Sequence, residues 1–281
     1  MMDTESTGYP ANSVCAIMNV YTRTQYFEEQ LDAILNQTIK PHEIIVWVNY
    51  HEKNQAFVNN ELQPLIDSKN HNRIRVIQSN HNWKYHGRFA GSFLAQSEYV
   101  CVFDDDTIPG QGWFENCIKS MKIKNGAMGS IGEIYITSKD IEGLEPNPKS
   151  WYFKVFKHLG WKLDNEYDTI TRVDVIGHSW FFRKEWLKFM WMEEPSTWDV
   201  CEDIQFCYCL QKYGGIYSYV PPQPNGDEFL CGSLKGYEYG CDDSASFLQA
   251  GDDWNSIGGN RWKGYYDYIV NKGYQLVRDL K

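Results

Sequence analysis

An α/β fold, with helices on both faces of a central, mainly parallel sheet, is what this 281-residue sequence predicts. Three observations point there. The first half carries four apolar strands separated by segments of helical period. The strands are continuously apolar instead of alternating, as expected when both faces of a parallel sheet are covered. The fourth strand runs straight into three carboxylates, Asp104-Asp105-Asp106. Ligands of such sheets bind beyond the carboxyl ends of the strands.

The elements follow in order. Met1 to Ser13 is a polar tail without a signal-peptide pattern. Val14 to Val20 is the first strand. Gln25 to Gln37 is helical through Phe27, Leu31, Ile34 and Leu35, and Pro41 breaks that stretch. Glu43 to Val48 is the second strand, Gln55 to Asp67 a helix, and Arg73 to Ile77 the third strand. A short helix over Phe89 to Gln96 precedes the fourth strand, Tyr99 to Phe103, and Pro109 stops any extension of it. Trp113 to Lys122 is again helical.

The second half is less regular. Gly129 to Ile136 alternates like a strand with one exposed face. Gly143 to Lys149 is polar with two prolines, a loop. Arg172 to Ile176 and Ser179 to Phe182 are strands, Asp203 to Lys212 a helix ending at Gly214-Gly215, and Ile216 to Val220 a strand. Residues 221–259 are rich in Gly, Asp and Pro and are expected to form a long loop over the active end of the sheet. Tyr265 to Leu280 is expected to close the chain as a helix. The organisation is then a tail (1–13) and two halves of one domain (14–125 and 126–281).

Composition narrows the function classes. A hydrophobic content of 42% and a charged content of 23% suit a globular protein with a sizeable core. A net charge of −10 without a long basic stretch argues against nucleic acid or an anionic membrane surface as partner. An acidic protein that binds a diphosphate needs local neutralisation, which a divalent metal on the Asp cluster supplies. No apolar run approaches the length of a membrane span. The eight cysteines contain no CxxC pair, which argues against structural zinc and fits a reducing compartment. A soluble, cytoplasmic protein is expected. Aromatic residues make up 16% of the chain, which serves either a ring-rich core or surfaces that stack on sugars.

Four constellations carry chemistry. Adjacent acids repel, so the Asp104-Asp105-Asp106 cluster persists most readily around a cation. Its hard oxygens suit Mg²⁺ or Mn²⁺, which bind through one or two carboxylates plus substrate phosphates. If the strand continues through them, Asp104 and Asp106 share a face. The bland reading is a capping turn before the helix at Trp113. Glu202 and Asp203 open a helix, either as dipole-favoured caps or with one acting as general base on a sugar hydroxyl. In Asn80-His81-Asn82-Trp83-Lys84-Tyr85-His86-Gly87-Arg88, Gly87 is expected at a tight turn and Arg88 to grip phosphate or nucleobase. His81 and His86 are expected to be exposed or hydrogen-bonded and not metal ligands. Gly177-His178-Ser179-Trp180 suits either a core strand or a wall beside a sugar.

Taken together these residues resemble the GT-A glycosyltransferases, closest to their nucleotide-sugar-dependent family 2 group. The resemblance rests on Tyr21-Thr22-Arg23 after the first strand, Glu43 to Asn49, Gly87-Arg88, Asp104-Asp105-Asp106 with Pro109, and Glu202-Asp203. It implies that Tyr21, Thr22, Arg23 and Asn49 hold the nucleobase and ribose, that Arg88 and Asp105 face the nucleotide, and that Asp104 lies near the ribose and metal. It implies Asp106 as the ligand of Mn²⁺ or Mg²⁺, and Asp203 as the base of an inverting displacement, supported by Glu202. His178, Trp180 and Trp198, with Trp191 nearby, would meet donor or acceptor sugar. The donor would be a nucleoside-diphosphate sugar, UDP-sugar favoured, and the acceptor a hydroxyl on a glycan or other molecule.

Two departures stand out. Asn49 takes the place of the usual acid after the second strand. No histidine follows His178 to serve as a late metal ligand, so diphosphate and water, or Asp242, Asp243, Asp252 or Asp253, would complete the shell. Other readings compete. A phosphohydrolase would want Thr or Val where Ile108 stands. A nucleotidyltransferase would want a glycine-rich loop where Val20-Tyr21-Thr22-Arg23 stands. A non-catalytic sugar-binding module would explain the aromatics but not the acids.

Overall fold

The computed structural model describes residues 8–145, 147, 155–159, 168–242, 245, 249, 251 and 253–280. β1 is Val14–Val20, and α1 (Phe27–Leu35) follows a single 3-10 turn. β2 is Glu43–Val48. The helix expected over 55–67 divides at Glu61 into α2 (Gln55–Asn60) and α3 (Leu62–Ser68). Pro64 has no N–H to offer, so the helix restarts with Pro64 in its first turn. β3 is Ile74–Gln78, α4 is Gly87–Gly91, and β4 is Tyr99–Phe103. β1 pairs in parallel with both β2 and β4, and β2 in parallel with β3. The α/β expectation is met here strand for strand.

The second half continues the sheet with mixed directions. α5 (Trp113–Ile123) leads into β5 (Gly126–Tyr135), then α6 (Ser138–Glu142) and β6 (Phe156–Leu159). β7 (Thr171–Val173) and β8 (Val175–Arg183) are separated only by Asp174. α7 (Leu187–Met190), α8 (Glu202–Gly214) and β9 (Tyr217–Val220) follow. The sheet order is β3-β2-β1-β4-β8-β5-β9-β7, with β6 paired to β5. β8 lies antiparallel to both β4 and β5, so it joins the two halves into one sheet.

Two expectations change. β5 does not have an exposed face: it lies between β8 and β9 in the sheet and is buried on both faces for nearly its whole length. The closing helix also sits earlier than its periodicity suggests. Within the loop-rich stretch, α9 (Gly236–Gly240) is short, and α10 already begins at Ile257 and ends at Tyr266. A π-helical turn, Asp267–Asn271, extends it, and Gly273 in the left-handed region (φ 70°) ends it. The chain end is then tied to the β7–β8 break. Val277 N–H and Tyr135 N–H donate to the Asp174 carboxylate at 2.6 and 2.8 Å, and the Tyr274 hydroxyl donates to the Asp174 carbonyl. No helix among the described residues is long and apolar enough to cross a membrane.

Candidate active site

A cleft of 530 Å³ opens beyond the carboxyl ends of β1, β2 and β4. Its lining includes every donor-side residue expected from the sequence: Tyr21, Thr22, Arg23, Asn49, Arg88 and Asp104 to Asp106. Glu202 and Asp203, at the start of α8, line it as well. One arginine joins the two sets of acids. Arg88 donates from Nη1 to Asp104 Oδ1 and from Nη2 to Glu202 Oε1, the latter at 2.6 Å. It is buried, and its guanidinium lies 4.5 Å over the indole of Trp180. Burial pushes the Glu202 carboxyl up to about 7 even against the pull of Arg88, with the Asp203 charge adding to the rise.

Gly87 serves a different purpose from the tight turn expected of it. Its φ is −57°, ordinary for a helix. A Cβ there would lie 2.9 Å from Trp47 Nε1 and 2.7 Å from Trp83 Cβ. Glycine lets α4 settle against the Trp47 indole of β2, and that contact aims Arg88 at the acids. His86 is a buried, hydrogen-bonded residue, 2.9 Å from Gln205 Oε1.

The three aspartates do not share a strand face. β4 ends at Phe103, and Thr107 N–H closes a turn onto the Asp104 carbonyl at 3.2 Å. Gln30 holds the turn by donating to the carbonyls of Asp104 and Thr107 at 2.6 and 2.7 Å. The acids therefore fan out. Asp104 meets Arg88, while Arg23 Nη1 lies 3.1 Å from Asp105 and 3.4 Å from Asp106. Burial raises all three carboxyls above their ordinary value, and mutual repulsion adds to the rise.

Arg23 also forks onto Asp242, with Nε and Nη2 donating at 3.0 and 2.9 Å. Of the late acids considered as metal ligands, Asp242 is thus a partner of Arg23, and Asp253 caps the turn before α10 through Asn255 N–H at 2.7 Å. Asp243 and Asp252 lie outside the described residues.

His178 lines the same cleft, close to the aspartates. It lies within β8 with φ 61°, where the register to β5 shifts, and its carbonyl accepts from Asp104 N–H and the Thr107 hydroxyl, both at 2.9 Å. The imidazole Nδ1 lies 3.9 Å from Asp106 Oδ1. Histidine and carboxylate oxygen beside an acid-rich turn fit Mn²⁺ or Mg²⁺ in donor chemistry. Among the described residues no group of three or more His, Cys, Asp or Glu side chains can hold a metal ion alone. Substrate phosphates would have to supply the remaining ligands, as is usual for these ions.

Asn49, Trp180 and Trp198 each have partners within the protein. The Asn49 amide donates to Asn82 Oδ1 and the Lys84 carbonyl at 3.0 and 3.1 Å, and its oxygen accepts from Trp83 N–H at 2.8 Å. Its polar atoms hold the 82–84 loop, whose Asn82 and Lys84 line the cleft with it. Trp180 is 2% exposed and lies beneath Arg88 in the cleft lining. Trp198 is 53% exposed and packs on His86 and Trp191 at the surface.

The sequence reading missed Glu133 of β5 and Asn260 and Arg261 of α10, all in the cleft lining. It also missed Tyr265, whose hydroxyl donates to Asp203 Oδ2 at 2.9 Å. None stands in a motif. They arrive from elements that sequence spacing does not connect to the acids.

Residues 15–191 match the family model described as Glycosyl transferase family 2, more than half of the chain. The chain belongs to glycosyl transferase family 2. The region of this family 2 chain that matches covers the sheet strands β1 to β8 and the Asp cluster and stops before Glu202, Asp203 and α10. No curated protein gives a significant match. Among solved structures, the 1-349 fragment of S. aureus TarS is 14% identical with a TM-score of 0.46, covering 75% of this chain and 60% of its own. A mannosyltransferase, PcManGT from Pyrobaculum calidifontis, solved with GDP-Man and Mn²⁺, is 16% identical with a TM-score of 0.48, covering 76% of this chain. The family 2 chain thus spans 60% and 58% of the length of these two.

Proposed function

We propose that this GT-A-type domain transfers a sugar from a nucleoside-diphosphate donor, UDP-sugar favoured, to an acceptor hydroxyl with inversion at the anomeric carbon. The observation that carries the reading is that the strand-end acids and the Glu202–Asp203 pair face one cleft, joined through Arg88. A binding module has no need of a second set of acids supplied by a separate element.

The roles divide by how each group is held. Glu202 is ion-paired to Arg88, whose positive charge opposes its taking a proton, and Asp203 is assigned as the base. Asp203 takes the proton of the acceptor hydroxyl as its oxygen bonds to the anomeric carbon. The bond from that carbon to the diphosphate breaks, and the nucleoside diphosphate leaves. Tyr21, Thr22 and Arg23 line the nucleotide end, and Asn49 acts by shaping the 82–84 loop beside it. Asp106 would hold Mn²⁺ or Mg²⁺ with His178 beside it, Asp104 having given one oxygen to Arg88. A bound divalent ion offsets the charge of the departing diphosphate.

Calorimetry with UDP, GDP and dTDP, with and without Mn²⁺, tests the donor side. Metal-dependent binding of one nucleotide, lost in Asp106→Ala, is expected. On the catalytic side, Asp203→Asn should bind donor yet transfer poorly. No nucleotide binding under any condition, or full transfer by Asp203→Asn, counts against the reading.

A further inference from the structure

Both oxygens of the Asp203 carboxylate are held from within the protein. Ile204 N–H donates to Oδ1 at 2.7 Å, and the Tyr265 hydroxyl donates to Oδ2 at 2.9 Å. Tyr265 is fully buried on α10, its ring packed 5.6 Å from that of Tyr135. Burial keeps its hydroxyl protonated, hence a donor. α10 comes this near because residue 264 is glycine: a Cβ there would lie 2.7 Å from Cys201 Sγ. The turn after α10 grips the segment leading into α8. Ser196 N–H donates to the Tyr268 hydroxyl at 3.1 Å, and the Ser196 hydroxyl donates to Asp267.

We propose that Tyr265 is a positioning residue for the Asp203 base, and that α10 with its π turn is the element that aims the base into the cleft. The inference rests on the reading of Asp203 as the base. An aspartate side chain has two soft torsions and several staggered positions. At the first turn of a helix, backbone alone restrains one oxygen. The hydroxyl restrains the second and selects one orientation. Each carboxylate oxygen keeps a lone pair after accepting one bond, so proton acceptance is not blocked. Tyr265 does not meet substrate; it acts through Asp203. Misplacement of a reacting group by about 1 Å costs on the order of 100-fold in rate.

The test compares wild type, Tyr265→Phe and Asp203→Asn. UDP-, GDP- and dTDP-glucose with Mn²⁺ serve as donors, water serves as acceptor, and release of nucleoside diphosphate is the readout. Nucleotide binding by calorimetry and a crystal structure of Tyr265→Phe accompany it. Tyr265→Phe should lose about 10- to 100-fold in kcat while donor KM and nucleotide affinity hold, and its Asp203 carboxylate should leave the wild-type orientation. An unmoved Asp203 in the variant crystal, or unchanged kcat in Tyr265→Phe beside an inactive Asp203→Asn, overturns this inference alone. Parallel loss of kcat and nucleotide affinity in Tyr265→Phe also overturns it, in favour of a general scaffold role. Full turnover by Asp203→Asn overturns the base reading itself.

Discussion

The guanidinium of Arg88 lies 4.5 Å over the indole of Trp180, and from that platform it reaches Asp104 on β4 and Glu202 on α8. The indole covers one face, so the fork is left to bond only in its own plane. Removing the cation strands the buried Glu202 carboxylate and the half-buried one of Asp104. Arg88→Met should therefore lose about 3–5 kcal/mol of unfolding free energy in urea. Arg88→Lys should recover only part of it, since an ammonium cannot reach both acids as a fork does. Equal stability of all three proteins would contradict the bridge.

Asn49 explains its own departure from the acid expected after the second strand. Its amide donates to two oxygens, Asn82 Oδ1 and the Lys84 carbonyl. A carboxylate there would turn both contacts into repulsions. Asn49→Asp should cost about 1–3 kcal/mol in stability and weaken nucleotide binding through the displaced 82–84 loop. Calorimetry and urea unfolding on the same variant give both numbers, and wild-type values for both would refute the role.

Cys201 and Gly264 form a matched pair. Cys201 sits in the left-handed region at φ 72°, just before Glu202, and its sulfur occupies the space a side chain at residue 264 would need. Gly264→Ala should destabilise by about 1–3 kcal/mol through overpacking. In a Cys201→Gly background, which also relieves the left-handed strain, the same change should cost much less. A double-mutant cycle reads the coupling, and additive effects would show that the two do not compete for one space.

Asp174 predicts a pH dependence. Burial raises its carboxyl from the ordinary 3.8 to about 6, although Tyr135 and Val277 N–H groups favour the charged form. With the folded value above the unfolded one, the folded state binds the proton more tightly. Its contribution is present below about pH 4 and lost as pH rises through about 6, on the order of 3 kcal/mol in all. The stability of wild type minus that of Asp174→Asn should thus fall between those pH values and stay flat above. A difference that rises with pH would invert the assignment.

Much of the first half is legible without coordinates. β1, β2 and β4 fall on the expected residues because a fully buried parallel strand must be apolar at every position. The Asp cluster is legible because a strand end carrying three acids is costly unless something meets them. β5 is misread because periodicity reports the average of two faces, and the pairing of β8 and β9 on either side of it lies beyond any local window. α10 is misplaced because its glycines, Gly258, Gly259 and Gly264, hide a helix that packing alone sustains.

What the sequence determined by itself was the layered α/β class and the list of acids and cations at the carboxyl ends of its strands, since burial pattern and charge are written locally. What only the tertiary structure decided was which of those charges meet. Arg23 lies 219 positions from Asp242 and Arg88 lies 114 from Glu202. The hydroxyl on Asp203 comes from 62 positions further along the chain. Hydrogen bonds and ion pairs act over a few ångströms, so a partner's identity depends on how the sheet, α8 and α10 pack together, a relationship that spacing along the chain does not encode.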